Sequence, residues 1–287
     1  MLALKRAISI LKVSMLPNQI LVKPISEIAL LAGQEILEIY DHKTLFSSTR
    51  IKRSKSPYTL AKSSAENFII NALTTLDSSI PIISEGHNDV SYYYRKNWKY
   101  LWLVDALNGT REFLKQTNEF TINIALIENG IPILGIIYAP ALELLYSANK
   151  PDGAFRTQKN NTVPIHCNTA VNFLTAVVNP FVHLAMDEEK SVLDRFPIKK
   201  IISVGSSLKF CKIAEGSADL FYRHSPSMEW ESAAGEAIIN ISGGAILHAN
   251  SRTYKYNKQM LKNKALLCLG NSALASHTIF EENYLVK

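Results

Sequence analysis

The chain has 287 residues, 47% of them hydrophobic and 20% charged, with a formal net charge of +6. That length holds one large domain or two fused lobes with substantial cores, and that balance excludes a disordered chain. The lysines and arginines are scattered and not interleaved with aromatics, so no nucleic acid polymer is expected as a partner and a small anionic ligand fits better.

Residues 1–20 read as an N-terminal extension or a mis-set start codon, with a weak membrane-surface helix as the alternative, because Lys12 and Pro17 interrupt the apolar stretch. No run approaches the ~20 residues of a spanning helix, so no transmembrane segment is expected. The periodicity then predicts helices over 25–40 and 63–76, the second preceded by Ser56-Pro57-Tyr58-Thr59, and a short strand over 80–84 ending at Glu85. The apolar run 100–104 delivers Asp105 to the end of a buried strand. Asn108, Gly109 and Thr110 follow where a helix begins, with free N–H groups and a positive dipole end suited to phosphate. Strands over 120–127, 133–138 and 143–148, separated by Asn129-Gly130 and Ala139-Pro140, read as an antiparallel meander that closes an N-terminal lobe of residues 21–160.

The C-terminal lobe, residues 161–287, alternates strands and helices. Strands are expected over 175–179, 200–204 and 220–222, around Leu247 and over 266–270; helices are expected over 187–196, 208–215 and 232–241, the last ended by Gly243-Gly244. Stacked helix and sheet layers, an α/β fold, accommodate such a mixture. Cys167, Cys211 and Cys268 are odd in number and lack zinc spacing, which favours a reducing, cytoplasmic setting. His87, His166 and His224 also lack metal spacing and read as incidental.

Four separated segments place polar residues at strand ends or helix starts: Thr59-Leu60-Ala61-Lys62, Ser84-Glu85-Gly86, Asp105-Ala106-Leu107-Asn108-Gly109-Thr110 and Trp230-Glu231-Ser-Ala-Ala-Gly235. With Gly205-Ser206-Ser207-Leu-Lys209 and Asp219-Leu-Phe-Tyr-Arg223, they resemble the inositol monophosphatase superfamily, in particular its 3'(2'),5'-bisphosphate nucleotidase branch. The resemblance covers roughly residues 20 to 275. It implies a layered α-β-α-β-α sandwich and Mg²⁺-dependent hydrolysis of a phosphate monoester, in that branch adenosine 3',5'-bisphosphate to AMP, linked to sulfur assimilation. Carboxylates around magnesium suit this chemistry, because hard cations prefer oxygen ligands and bridge phosphoryl oxygen to attacking water.

Carried over residue by residue, the resemblance makes Glu85, Asp105 and Thr110 the catalytic group and Glu85, Asp105, the Leu107 carbonyl, Asn108 and Glu231 the metal donors. It makes Gly109, Thr110, Ser206, Lys209, Arg223 and Glu231 the substrate contacts. Four positions depart from the family pattern. Lys62 stands for an aspartate, Gly86 for a glutamate, Asn108 for an aspartate and Glu231 for a shorter aspartate. At the six acidic positions of the pattern this leaves three carboxylates and one ammonium, which neutralise two or three magnesium ions poorly.

The expected function is therefore a bisphosphate nucleotidase with impaired catalysis, its magnesium at reduced occupancy or lost. Three alternatives stay open. One is a non-catalytic phosphonucleotide-binding protein in which Lys62 takes over a metal's charge. Another is an inositol monophosphatase-like activity using fewer metals through Glu85, Asp105, Leu107 and Thr110. The third is a scaffold that binds neither ligand. The partner is expected to be a small phosphorylated nucleotide or an inositol phosphate, and the resemblance leaves a homodimer open.

Overall fold

The computed structural model describes residues 22–41, 56–181, 187–248 and 254–277; the N-terminal extension expected over 1–20 lies outside the described residues. The chain opens with two helices, α1 (Val22–Asp41) and α2 (Pro57–Leu76). Sequence periodicity starts the second helix at 63, but it begins at Pro57. The Ser56 hydroxyl accepts the Thr59 N–H at 3.2 Å as an N-cap, and proline fits the first helical turn, whose N–H groups find no acceptor within the helix itself.

Strand β1 (Ile82–Ser84) runs parallel to β2 (Tyr100–Asn108), with a one-turn helix α3 (Tyr92–Arg95) between them. Helix α4 (Thr110–Lys115) follows β2 directly. The antiparallel meander continues as β3 (Thr121–Glu128), β4 (Ile131–Ala139) and β5 (Leu144–Asn149), as expected. Two further strands, β6 (Gly153–Gln158) and β7 (Asn161–Pro164), extend it to a seven-stranded sheet in the order β1 to β7. Their hairpin turns at Lys159-Asn160, both with positive φ, the geometry that matches the twist of a tight hairpin.

The second half contains β8 (Leu174–Val178), α5 (Asp187–Leu193), β9 (Ile198–Ser203), α6 (Leu208–Ala214), β10 (Leu220–Arg223), β11 (Ser227–Met228), α7 (Glu229–Ile241), β12 (Ala245–His248), β13 (Lys262–Asn263) and β14 (Leu266–Leu269). Five of these strands form a mixed sheet in the order β12-β14-β10-β8-β9.

Alternation along the strands separates two cores across the first sheet. Trp102, Val104, Ile122 and Ile124 face α1 and α2, whose Ala29, Ala32, Ile36, Ala65 and Ile69 pack on them. Leu101, Leu103, Ala125 and Ile137 face the opposite way, into a cluster shared with Phe210 of α6, Ala233 and Ile238 of α7 and Cys268 of β14. A third cluster covers the far face of the second sheet, where Leu193 of α5 packs with Leu174 and Leu220. The order helix, sheet, helix, sheet, helix is the layered α/β sandwich expected. Each fully buried leucine or isoleucine contributes ~1.5–3 kcal/mol, so these three clusters hold the layers together.

Helix α7 is the hub of this packing. A Cβ on Gly135 of β4 would run into the Ala234 carbonyl and lie 2.9 Å from Ala237 Cβ, and one on Gly235 would overlap the Phe210 ring. Glycine at both positions lets β4 and α6 approach α7 closely.

Candidate active site

The site forms where β1 and β2 end, beside the first turns of α2. Tyr58, Lys62 and Glu66 lie four residues apart, so they form one polar stripe along a helix whose other buried residues, Ala61, Ala65, Ile69, Ala72 and Leu73, are apolar. That stripe meets Glu85 and Gly86 after β1 and Asp105 near the end of β2. The register of β2 against β3 shifts between Asp105 and Asn108, so the strand bulges as it enters Gly109. Gly109 takes φ 96°, the left-handed region glycine favours, and turns the chain into α4.

The polar groups of this corner engage one another. Lys62 Nζ donates to Glu85 Oε2 and lies 3.9 Å from Asp105 Oδ1. Asn108 Nδ2 donates to Asp105 Oδ2 at 2.9 Å, and the Tyr58 hydroxyl donates to the Leu107 carbonyl at 2.9 Å. Asp105 is 2% exposed, and its Oδ1 has no hydrogen-bond partner among the described residues. Burial pushes the Asp105 carboxyl up to about 7, against the pull of Lys62 and the Asn108 hydrogen bond. Burial alone would lower the Lys62 ammonium, but Asp105, Tyr58 and Glu85 outweigh it and leave Lys62 raised above an ordinary lysine, firmly charged at neutral pH.

Next to this corner opens a cavity of about 220 Å³, lined by Asn108, Gly109, Ser206, Lys209, Arg223 and Glu231 among others. Six of the residues expected in the site therefore share one cavity, while Lys62, Glu85, Asp105 and Leu107 form the adjoining cluster, linked to it through Asn108. Lys209 is 7% exposed; its Nζ donates to the Ser206 carbonyl at 2.6 Å. Burial, reinforced by Arg223 and opposed by Glu112, lowers Lys209 to about 8. Arg223 Nη1 pairs with Glu231 Oε2 at 3.0 Å, and Glu231 Oε1 accepts the Met228 N–H at 2.9 Å, so Glu231 caps its own helix. Ser206 has φ 48°; its hydroxyl donates to the Glu119 carbonyl and its N–H to Glu112 Oε1 at 3.2 Å. Glu112 thereby ties α4 to the loop before α6.

Three residues of the site were not singled out in the sequence. Tyr58 covers the Leu107 carbonyl, and Glu66 accepts the Gly86 N–H at 2.9 Å. Glu189 lines the cavity wall and accepts the His224 N–H at 3.4 Å. The polar stripe at four-residue spacing was the available signal for Tyr58 and Glu66. Among the described residues, no group of three or more His, Cys, Asp or Glu side chains is arranged to hold a metal ion, and no helix is long and apolar enough to cross a membrane.

Two sheets interleaved with helices beside a polar cavity agree with known proteins of one class. The sequence matches the inositol monophosphatase family over residues 19–281, and the chain belongs to that family. Among individual relatives, it is 35% identical over 236 residues to the 3'(2'),5'-bisphosphate nucleotidase CysQ of Salmonella typhimurium, covering 82% of this chain and 94% of that one. It is 39% identical over 225 residues to the protein of the same name from Buchnera aphidicola, covering 77% and 82%. In three dimensions it is similar to CysQ of Bacteroides thetaiotaomicron, a bacterial member of the inositol monophosphatase family, with a TM-score of 0.75 and 31% identity over 86% of this chain and 96% of that one.

Proposed function

We propose that the cavity binds a 3'(2'),5'-bisphosphate nucleotide, the substrate class named for these relatives, and that the protein hydrolyses it slowly, with little or no help from magnesium. The observation that carries this reading is the Lys62 ammonium, bonded to Glu85 and 3.9 Å from the free oxygen of Asp105. Magnesium needs several oxygen donors at once. Here Glu85 is bonded by Lys62, the Leu107 carbonyl by Tyr58, one Asp105 oxygen by Asn108 and both Glu231 oxygens by Met228 and Arg223. These donors do not fit a cluster of magnesium ions, and a fixed cation already stands among them.

Binding has better support than turnover. Lys209 and Arg223 bring positive charge to the cavity beside the carboxylates of Glu112, Glu189 and Glu231, and Gly109 stands in its wall at the start of α4. Such a site retains a phosphorylated ligand while losing the primed water that cleaves it.

The test is calorimetry with adenosine 3',5'-bisphosphate, with and without magnesium, alongside phosphate release by the purified chain. Binding that ignores magnesium, together with slow release, supports the proposal. Fast release that requires magnesium and disappears in Asp105→Asn overturns it.

A further inference from the structure

We propose that Glu66 is a positioning residue of this cleft: from helix α2 it takes the place of the side chain that residue 86 lacks, and it holds the turn that carries Glu85. Gly86 lies 20 residues further along the chain, yet the Glu66 carboxylate lies across its Cα. A Cβ built on Gly86 would overlap Glu66 Oε2, with Glu66 Cδ at 3.0 Å and Oε1 at 3.1 Å. The Gly86 N–H donates to Oε1 at 2.9 Å, a hydrogen bond to a charged acceptor and therefore stronger than a neutral one.

The cost of keeping an acid here argues that the contact is used. Glu66 is 8% exposed, at the buried end of the polar stripe beside Ala65 and Ile69, where burying a carboxylate without hydrogen bonds is strongly unfavourable. The turn it meets is also closed by a reciprocal pair of bonds, Ser84 N–H to the His87 carbonyl and His87 N–H to the Ser84 carbonyl, each 3.1 Å, and by Asn88 Nδ2 donating to the Glu85 carbonyl at 2.6 Å. Glu66 adds the fastening that joins this turn to α2. Glu85, next to Gly86, then projects toward Lys62, which lies one helical turn before Glu66 on the same stripe. Lys62 holds the end of the Glu85 side chain and Glu66 holds the backbone beside it.

Gly86 is thus one half of a matched pair and not simply a missing acid. A side chain returned to position 86 has room only if the Glu66 carboxylate swings aside and gives up its bond to the Gly86 N–H.

The experiment uses the full chain with Glu66→Gln, Glu66→Ala, Gly86→Ala and the Glu66→Ala/Gly86→Ala double variant. Hydrogen exchange at the Gly86 amide is expected to be slow in the unmodified chain and in Glu66→Gln, whose amide oxygen accepts the same bond, and about tenfold faster in Glu66→Ala. Gly86→Ala alone is expected to lower the thermal midpoint by about 5 °C, and by less than half as much once Glu66 is alanine. Taking Glu85 as a cleft residue, as proposed above, affinity for adenosine 3',5'-bisphosphate falls in Glu66→Ala and is kept in Glu66→Gln. Equal exchange in the Gln and Ala variants, or additive shifts in midpoint, overturns the role given to Glu66. If the unmodified chain does not bind the nucleotide, the proposed function fails, while exchange and midpoint still decide the question of Glu66.

Discussion

Replacing Lys62 by methionine isolates the electrostatics of the site, because methionine keeps much of the length and removes the charge. Lys62 Nζ stands 3.9 Å from Asp105 Oδ1. At an effective dielectric of 20 that separation is worth about 4 kcal/mol, or roughly 3 pKa units. The Asp105 carboxyl, at about 7 with Lys62 present, should therefore titrate well above that in the variant. Unfolded, it titrates near 3.9. A raised acid makes the folded state hold a proton that the unfolded chain has released, so both proteins lose stability as pH climbs from about 4 to about 7. Above 7 Asp105 has ionised in the unmodified protein and its loss stops, while the variant continues to lose about 1.4 kcal/mol per pH unit. In urea denaturation Asp105 should then add almost nothing to the difference between the two proteins at pH 6, and should make the variant less stable by about a further 2 kcal/mol at pH 8.5. Losing the contact with Glu85, whose side chain is 54% exposed, adds at most about 1 kcal/mol at both values and cancels in the comparison. A destabilisation equal at the two pH values, or greater at pH 6, would refute the pairing of Lys62 with Asp105.

Other substitutions probe the neighbouring groups. Asn108→Asp turns the hydrogen bond to Asp105 into a carboxylate pair and should destabilise the metal-free protein by about 1–3 kcal/mol in thermal or urea melts, with part of the loss recovered by millimolar magnesium. Tyr58→Phe removes the cover from the Leu107 carbonyl and should cost about 1 kcal/mol, read by the same melts. Because Lys209 titrates at about 8, calorimetric affinity for the bisphosphate nucleotide should fall between pH 7 and pH 9 as its positive charge is lost. Lys209→Met should bind weakly at both pH values and lose most of that dependence.

The arrangement of layers was legible because its signals are periodic. Alternating apolar residues in β2 to β5 and the helical spacing of α1 carry the fold directly, and turn residues mark their ends. Strands β6 and β7 were missed because they are short and largely polar, with little buried surface to impose an alternation. The start of α2 was signalled by Ser56-Pro57, a capping pair that outranks the late onset of apolar spacing. In the site, Asp105, Gly109, Lys209 and Arg223 could be picked out because their motifs are local. The pairing of Glu66 with Gly86 could not, because it joins residues 20 positions apart in a contact that only the packing of α2 against the β1 turn creates. Nor does the sequence reveal that Glu231 caps its own helix and pairs with Arg223, since both bonds depend on the direction its side chain takes.

The central helix α7 has a further consequence. It carries Glu231 on one end and is buried along nearly its whole length between two sheets that share its core. Parting those sheets would strip apolar surface from both sides at once, so the described residues offer no hinge between the two sheets about which jaws could swing around a ligand. Selection must fall to the outline of a cleft that exists before anything arrives.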